Sequence, residues 1–196
     1  MKKDFTAAFE KRLQESIEVK QQALLQNREV FSDIANAMLE SLRQGGKVLL
    51  FGNGGSAADA QHIAAELVSR FLHDRKALPA IALTTDTSIL TSVANDYAYD
   101  QVFARQIEAL GKRGDVAVGI STSGNSPNVL KAVARAREMG LTTVGLTGRS
   151  GGALKDAVDL CLCVPSSSTP RIQEVHIAVA HVLCEVLELE LCSSSP

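Results

Sequence analysis

The sequence lacks the features that would place the chain in a membrane or on nucleic acid. No apolar run approaches the ~20 residues that a membrane-spanning helix needs. The 20 Lys and Arg residues against 22 Asp and Glu residues leave a formal net charge of −2, which gives no bulk attraction to nucleic acid or to an anionic membrane. No apolar segment follows the two lysines of MKKDFTAAFEKRL, so no secretory signal is expected. We therefore expect a cytoplasmic protein with neither kind of partner.

Cysteine is also scarce, with 4 residues in 196. Without a secretory signal, so few cysteines in a chain of this length do not indicate a disulfide framework. Cys161 and Cys163 lie in the apolar run LCLCVP, where we expect a buried strand. We expect the two thiols to point to opposite faces of that strand and to pack as small hydrophobic side chains.

The first 45 residues have the apolar spacing of helices, and a break is predicted at Asn27 and Arg28. In the first helix, apolar residues recur every four positions, at Phe5, Phe9, Leu13 and Ile17. A similar spacing from 31 to 42 predicts a second helix, which Gly45 and Gly46 end. We take residues 1–45 as a helical extension of one domain, and 46–196 as its main part.

After this extension the pattern changes to strands alternating with helices. Near-continuous apolar runs predict strands that are buried on both faces, which is typical of a parallel sheet. These runs lie at 47–51, 79–85, 115–122, 142–148 and 159–165. The sequence therefore predicts an α/β fold with a doubly wound, mainly parallel five-stranded sheet flanked by helices. A last helix is predicted from about 170 to 190, with Thr169 as its N-cap and Pro170 in its first turn.

Two loops after predicted strands have the composition of anion sites. GNGGS at 52–56 and ISTSGNS at 120–126 each stand between a strand and a helix start. Glycines let the backbone approach an anion, and hydroxyls and free helix N–H groups bind it. For the first loop, phosphate binding and a simple turn-and-cap role are equally open. For the second, four hydroxyls at one strand end favour anion binding, and Ser126 is a predicted N-cap before Pro127.

The segment HIAAE places His62 and Glu66 four residues apart, about 40° apart around a helix. The pair alone is compatible with a solvated contact, with a packed histidine, or with an ion pair between Glu66 and Arg70. It is equally compatible with half of a reaction centre. His73 and His176 are expected to have no catalytic role, since one lies in a polar loop and the other lies off the His181 face of its helix.

As a set, these segments resemble one enzyme family. GNGGS and ISTSGNS are similar to the loops of the sugar isomerase (SIS) domain, a phosphosugar-binding α/β module. HIAAEL, TDTSILTSVANDYAYD, LTGRSGG and RIQEVHIAVAH narrow the resemblance to the phosphoheptose isomerases and extend it over nearly the whole chain. The resemblance implies a cytoplasmic homotetramer that interconverts D-sedoheptulose 7-phosphate and D-glycero-D-manno-heptose 7-phosphate. This is the first step of heptose synthesis for lipopolysaccharide or other surface glycans.

The resemblance also implies roles for individual residues. Glu66 would be the catalytic base and His181 its acid partner, and one zinc ion per subunit would sit beside them. The implied zinc ligands are His62, Glu66, Gln173 and His181. The implied substrate contacts are Asn53, Gly54, Gly55, Ser56, Glu66, Asn95, Asp96, Ser121, Thr122, Ser123, Ser126 and Gln173.

Ketose–aldose isomerisation through an ene-diol needs a base, a proton donor at the carbonyl oxygen and an anchor for the phosphate, and these residue types supply all three. Two points stay open. A Glu66 that binds zinc tightly is a weaker base. Gln173 and His181 lie eight residues apart, a helical rise of ~12 Å, which is far for two ligands of one ion. Either Gln173 reaches along the helix or another subunit completes the set, and we favour a site near a subunit interface.

Two alternative functions remain. The same subfamily includes a non-catalytic protein that associates with the replication initiator DnaA, and we expect that protein to lack the equivalents of Glu66 and His181. The other alternative is an isomerase or sensor for a different phosphosugar, whose serine loop would look alike. Retention of both Glu66 and His181 in this chain favours catalysis on a heptose phosphate.

Overall fold

The computed structural model describes residues 3–192. Two helices come first, α1 (Thr6–Gln26) and α2 (Arg28–Arg43). The predicted break between them is confirmed, with Asn27 between the two helices. Side chains from α2, among them Ile34 and Met38, are buried in the same apolar cluster as the strands that follow.

A five-stranded sheet forms the centre of the molecule. Its strands are β1 (Val48–Gly52), β2 (Ala80–Ala82), β3 (Val116–Ser121), β4 (Thr142–Gly148) and β5 (Leu160–Val164). Their order is β2-β1-β3-β4-β5, and every neighbouring pair is parallel. The α/β prediction is confirmed, with a sheet that is wholly rather than mainly parallel. β2 is shorter than the run at 79–85 because it lies at an edge and only the first half of that run pairs with β1.

Helices cover both faces of this sheet. They are α3 (Gly55–Val68), α4 (Thr87–Asp96), α5 (Ala104–Leu110), α6 (Pro127–Glu138), α7 (Gly152–Ala157) and α8 (Thr169–Cys192), with a 3₁₀ turn at Tyr99–Gln101. Alternate residues of β1 show the two layers. Leu50 packs with α2, α3 and α8, whereas Leu49 and Phe51 pack with α4, α5 and α6. α8 begins at Thr169 itself, one residue earlier than predicted, and Pro170 lies in its first turn.

The edge strand β5 is protected by Asn27. The Asn27 amide donates to the Cys163 carbonyl and accepts from the Cys163 N–H, both at 3.1 Å. The side chain therefore occupies backbone groups that an edge strand would otherwise expose.

The prediction that Cys161 and Cys163 point to opposite faces of β5 is wrong. Side chains alternate along a strand, so residues two apart share a face. The two sulfur atoms lie 3.8 Å apart on the α7 side of the sheet, and both residues are half-buried.

The four-residue repeat of α1 forms a stripe that the chain does not bury. Its first members, Phe5 and Phe9, are 70% and 65% exposed. Leu13 and Ile17 continue the stripe on the same face and are also exposed. Among the described helices, none combines the length and hydropathy needed to cross a membrane.

Candidate active site

The first candidate loop follows β1 and leads into α3. Gly54 stands at the N-cap with φ +58° and ψ −121°, a backbone conformation that only glycine adopts readily. Gly55 lies against the side-chain amide of Gln173, which a Cβ at position 55 would overlap. Ser56, a predicted substrate contact, is buried against Gly52. The loop therefore exposes backbone at the start of a helix, next to Gln173.

The Asn53 side chain joins this loop to the second one. Asn53 and Asn128 exchange two hydrogen bonds through their amides, at 2.8 and 2.9 Å. The Tyr99 hydroxyl donates to the Asn53 Oδ1 at 3.2 Å. Sequence reasoning missed Asn128 and Tyr99, because neither the SGNSPN motif nor the 3₁₀ turn indicates a partner across the sheet. Together these residues hold the ends of β1 and β3 in one unit.

Hydroxyl groups converge at the end of β3, as predicted. The Ser121 Oγ lies 2.9 Å from the Ser126 Oγ and 3.5 Å from the Ser123 Oγ. Ser126 occupies the N-cap position of α6, yet its side chain caps no backbone N–H. Its hydroxyl points to the other serines instead, which leaves the start of α6 available to an anion. Thr122 lies half-buried between them, with its carbonyl against Gly148.

The segment after β4 forms hydrogen bonds with the serine loop. The Leu154 N–H donates to the Gly124 carbonyl at 2.9 Å, and the Ala153 N–H donates to the Asn125 Oδ1 at 3.0 Å. Gly124 has φ +67° and its Cα faces the Gly151 carbonyl so closely that no side chain fits. These contacts therefore hold the backbone that carries the hydroxyl cluster in place.

His62, Glu66 and His181 meet although they come from distant parts of the chain. The His62 Nε2 lies 3.0 Å from the Glu66 Oε1 and 3.4 Å from the His181 Nε2. One ligand atom from each residue lies within 4.8 Å of the other two, which is a geometry that suits a metal ion. Glu66 pairs with His62 and not with Arg70, which lies beyond the end of α3. The structure thus brings together three of the four predicted ligands within one chain.

Gln173 lies elsewhere on the same pair of helices. Its amide contacts Gly55 at the start of α3, whereas His181 contacts His62. The contact moves from Gly55 to His62 along α3 as it moves from Gln173 to His181 along α8, so the two helices run in the same direction. The steps of seven residues along α3 and eight along α8 correspond to a rise of ~11–12 Å. The α3–α8 groove therefore has Gln173 near the phosphate loops and the His/Glu cluster two turns away.

A buried ion pair fixes the end of α3 that carries Glu66. The Arg75 guanidinium donates to the carbonyls of Glu66 and Leu67, capping the last turn of the helix, and to the Glu188 carboxylate at 2.9 Å. Glu188 is 1% exposed. Burial alone would raise its pKa, but backbone N–H donors from 71–73 and the Arg75 charge lower it overall. Sequence reasoning missed this pair, since 113 residues separate its members.

The loop that Glu188 holds also brings Phe71 to the cluster. The Phe71 N–H donates to the Glu188 Oε2 at 2.9 Å, and the Phe71 ring lies 5.6 Å from the His181 ring, centroid to centroid. The backbone N–H of His73 donates to Glu188 as well, while its imidazole faces solvent. The expectation that His73 has no site role stays a prediction.

Two further titratable groups lie near the site. Asp59, one turn before His62 on α3, has an Oδ2 atom that is buried and has no hydrogen-bond partner within residues 3–192. Burial raises the Asp59 pKa, and the neighbouring His62 charge acts in the opposite direction. His176 is buried and its Nε2–H donates to the Thr147 carbonyl at 3.1 Å. Burial lowers the His176 pKa to about 4, so this imidazole is neutral.

Asn95 and Asp96 form the last residues of α4. The Asn95 Nδ2 donates to the Asp96 Oδ1 at 2.8 Å, and both residues are exposed. Over the described part of the chain, no hydrogen bond joins them to the serine loop or to the His/Glu cluster. Their predicted substrate role stays a prediction, although Tyr99 just beyond them contacts Asn53.

Comparison with known proteins identifies the family. The family model described as SIS domain matches residues 12–148. A phosphoheptose isomerase from Roseiflexus sp. (strain RS-1) is 61% identical over 179 residues, which cover 91% of each chain.

Solved structures agree. The phosphoheptose isomerase from Neisseria gonorrhoeae superposes with a TM-score of 0.89 at 45% identity, and that from Francisella tularensis with a TM-score of 0.91 at 38% identity. Each match covers 95% of this chain and 100% of the other. The chain belongs to the SIS domain family and, within it, to the phosphoheptose isomerases.

Proposed function

We propose that the chain is a sugar-phosphate ketose–aldose isomerase that interconverts D-sedoheptulose 7-phosphate and D-glycero-D-manno-heptose 7-phosphate. Relatives that carry the name phosphoheptose isomerase at up to 61% identity support this substrate. The observation that carries the proposal is the meeting of Glu66 and His181, which the non-catalytic alternative is expected to lack.

The reaction moves a proton from C1 of the ketose to C2 of the aldose. A carboxylate can remove the C1 proton and return it to C2 of the ene-diol. In this chain the Glu66 Oε1 contacts His62, and the carboxylate has a second oxygen that can face the substrate. Glu66 is the base in our proposal, and Arg75 at its carbonyl holds the turn that carries it.

His181 transfers the oxygen protons. Isomerisation also requires a proton to leave O1 and another to reach O2, and an imidazole can give or take either near neutral pH. The Phe71 ring packs beside the His181 ring. His181 therefore acts from α8 while Glu66 acts from α3, on the two sides of one groove.

The phosphate would bind at the far end of the groove. The serine hydroxyls at the start of α6 and the backbone at Gly54 and Gly55 offer donors without any positive side chain. Two helical turns separate these donors from His62, which leaves room for a sugar chain between its phosphate and its carbonyl. Gln173 lies along this path.

Zinc would fit the His/Glu cluster. His62, Glu66 and His181 offer nitrogen and oxygen ligands whose atoms lie within 4.8 Å of one another. The proposed fourth ligand is Gln173 of a neighbouring subunit, because the Gln173 of the same chain lies two turns away at Gly55. One ion per subunit would supply Lewis-acid polarisation of the sugar carbonyl. The chain's own residues hold the cluster in place through the Arg75–Glu188 pair.

The assembly and its setting are part of the same proposal. The exposed apolar stripe of α1 supports a homotetramer in which neighbouring α1 helices are buried. A neighbouring subunit would then be able to bring further groups to the α3–α8 groove. We propose a cytoplasmic enzyme at the first step of heptose synthesis for lipopolysaccharide or another surface glycan.

A substrate panel tests the proposed function. Purified protein is incubated separately with sedoheptulose 7-phosphate, arabinose 5-phosphate and N-acetylmuramate 6-phosphate, and products are identified by NMR. We expect an aldose phosphate from the heptulose alone. If the protein converts another sugar phosphate faster than the heptulose, or converts none of the three, the proposal is contradicted and one of the alternatives is favoured.

A further inference from the structure

The two thiols of β5 form a pair that the proposed reaction does not use. Cys161 and Cys163 share one face of the edge strand, with their sulfur atoms 3.8 Å apart. They lie on the α7 side of the sheet, whereas the His/Glu cluster lies between α3 and α8 on the other side. Both residues are half-buried, so small solutes can reach them.

The surroundings of the pair favour one negative charge. The two sulfur atoms are in hydrogen-bond contact, and this contact together with the positive charge of Lys155 outweighs burial and lowers the Cys163 pKa to about 7. The same contact, burial and the Asp156 charge raise the pKa of Cys161.

The separation of the sulfur atoms matches a bridging ion better than a disulfide. Two bonds of about 2.3 Å at a tetrahedral angle span about 3.8 Å between sulfur atoms. A disulfide needs about 2.05 Å, on a strand where residues two apart have Cα atoms ~6.6 Å apart, at the upper limit of disulfide geometry. We propose that Cys161 and Cys163 form a bidentate dithiolate site for a thiophilic divalent metal ion.

Binding balances as a proton exchange. The ion forms two metal–sulfur bonds, Cys163 enters as thiolate, and Cys161 releases its proton to solvent, so no electron is transferred. One proton per ion is expected to appear on binding at a pH where Cys163 is already ionised.

The cysteine pair contacts the loop after β4. The Cys163 sulfur lies against Gly151, whose carbonyl accepts from the Thr147 hydroxyl and faces Gly124 of the serine loop. An ion here would therefore lie next to the backbone that supports the serine loop, outside the α3–α8 groove. We expect occupancy to perturb the backbone of 148–152 while the ligands of the His/Glu cluster stay in place.

Cadmium titration tests the proposal on the intact, reduced protein. Cd²⁺ bound to thiolate gives a sulfur-to-metal charge-transfer absorption in the ultraviolet that histidine and carboxylate ligands do not produce. We expect this absorption to saturate at one Cd²⁺ per chain, to be lost in Cys161→Ser and in Cys163→Ser, and to persist in Cys192→Ser. Persistence of the absorption in both strand variants, or its absence from the wild-type protein, would overturn the site.

Alkylation of the wild-type protein avoids any question about folding of the variants. Peptide mass spectrometry after iodoacetamide treatment is expected to show that Cd²⁺ protects Cys161 and Cys163 together and leaves Cys192 reactive. Equal labelling of the strand cysteines with and without the ion would also reject the proposal. Either result stands independently of isomerase activity.

Discussion

At the scale of single residues, His181 is the group whose removal separates proton transfer from binding. His181→Ala leaves Glu66 and the serine loop in place, so sugar-phosphate binding is expected to persist. Turnover is expected to fall by about 10²–10⁴, the usual contribution of a positioned acid–base group. Steady-state kinetics measure the loss, and circular dichroism checks folding.

His73→Ala is the matched control, because its imidazole faces solvent and the change leaves its backbone bond to Glu188 intact. A near-normal rate in His181→Ala, or an equal loss in the control, would reject the proposed acid role.

His176 predicts how stability depends on pH. Its pKa is about 4 in the folded chain against 6.5 in the unfolded one, so the unfolded chain binds the extra proton between these values. Stability is therefore lost as pH falls from about 6.5 toward 4, by up to about 3 kcal/mol. His176→Gln keeps an N–H donor for Thr147 and is expected to flatten that slope in urea unfolding measured across this range. An unchanged slope would contradict the burial argument.

The sequence predicted the members of the His/Glu cluster better than the residues that hold the site's loops together. His62, Glu66 and His181 belong to motifs whose spacing and resemblance point to one site, and they meet in the structure. Asn128 and Tyr99 were missed because their partner lies in another loop, and a local pattern carries no information about such a contact. Asp59 had a detectable signal, an acid one helical turn before His62.

At the scale of elements, the parallel pair α3 and α8 explains how distant motifs form one groove. The Arg75–Glu188 pair joins the end of α3 to α8 and is almost fully buried, with side chains 4% and 1% exposed. Removing one member leaves the other charge buried without its partner, which typically costs about 3–5 kcal/mol.

Glu188→Gln is therefore expected to lower the free energy of unfolding by about 2–4 kcal/mol. This is less than the typical loss of about 3–5 kcal/mol, because glutamine keeps an acceptor. It is also expected to reduce turnover by loosening the turn that carries Glu66. Denaturant unfolding and kinetics measure both effects. Glu138→Gln is the control, because that carboxylate is 66% exposed in a surface pair. Equal stability of the two variants would argue against a tie between the helices.

Most elements were predictable from the local sequence pattern, and each exception has an identifiable physical cause. Buried parallel strands give continuous apolar runs, which located all five strands. The short extent of β2 depends on how far its neighbour pairs with it, which the run at 79–85 does not encode. The prediction for Cys161 and Cys163 was wrong because it applied the strand period incorrectly: side chains two residues apart share a face.

At the scale of the whole molecule, the proposed assembly depends on the outer face of α1. The exposed stripe that includes Phe5, Phe9, Leu13 and Ile17 continues toward an apolar cavity of about 320 Å³ between α1, α2 and α8. Exposed apolar surface of this kind marks an interaction site. Gln173 was predicted as a ligand but lies two turns from the cluster in its own chain, so in our proposal a neighbouring subunit completes the set.

Phe9→Asp tests this face. The side chain is 65% exposed in the single chain, so the protomer is expected to fold, while a buried carboxylate would disfavour association. Analytical ultracentrifugation is expected to show that the proposed tetramer of the wild-type protein dissociates into smaller species in this variant. Lys11→Asp, an exposed change off the stripe, is expected to leave the tetramer intact. An unaltered tetramer in Phe9→Asp would place the interface elsewhere.

The most direct test of the whole account is isomerisation of sedoheptulose 7-phosphate in D₂O, followed by NMR, with wild-type protein and Glu66→Gln side by side. If Glu66 and His181 act on one ene-diol, wild-type protein forms the aldose phosphate, and the product carries deuterium at C2 wherever the proton on Glu66 exchanges with solvent before it is returned. The Glu66→Gln variant then binds the sugar phosphate but turns over at least about 10²-fold more slowly. Equal product formation by the two proteins, or none by the wild type, would contradict the account.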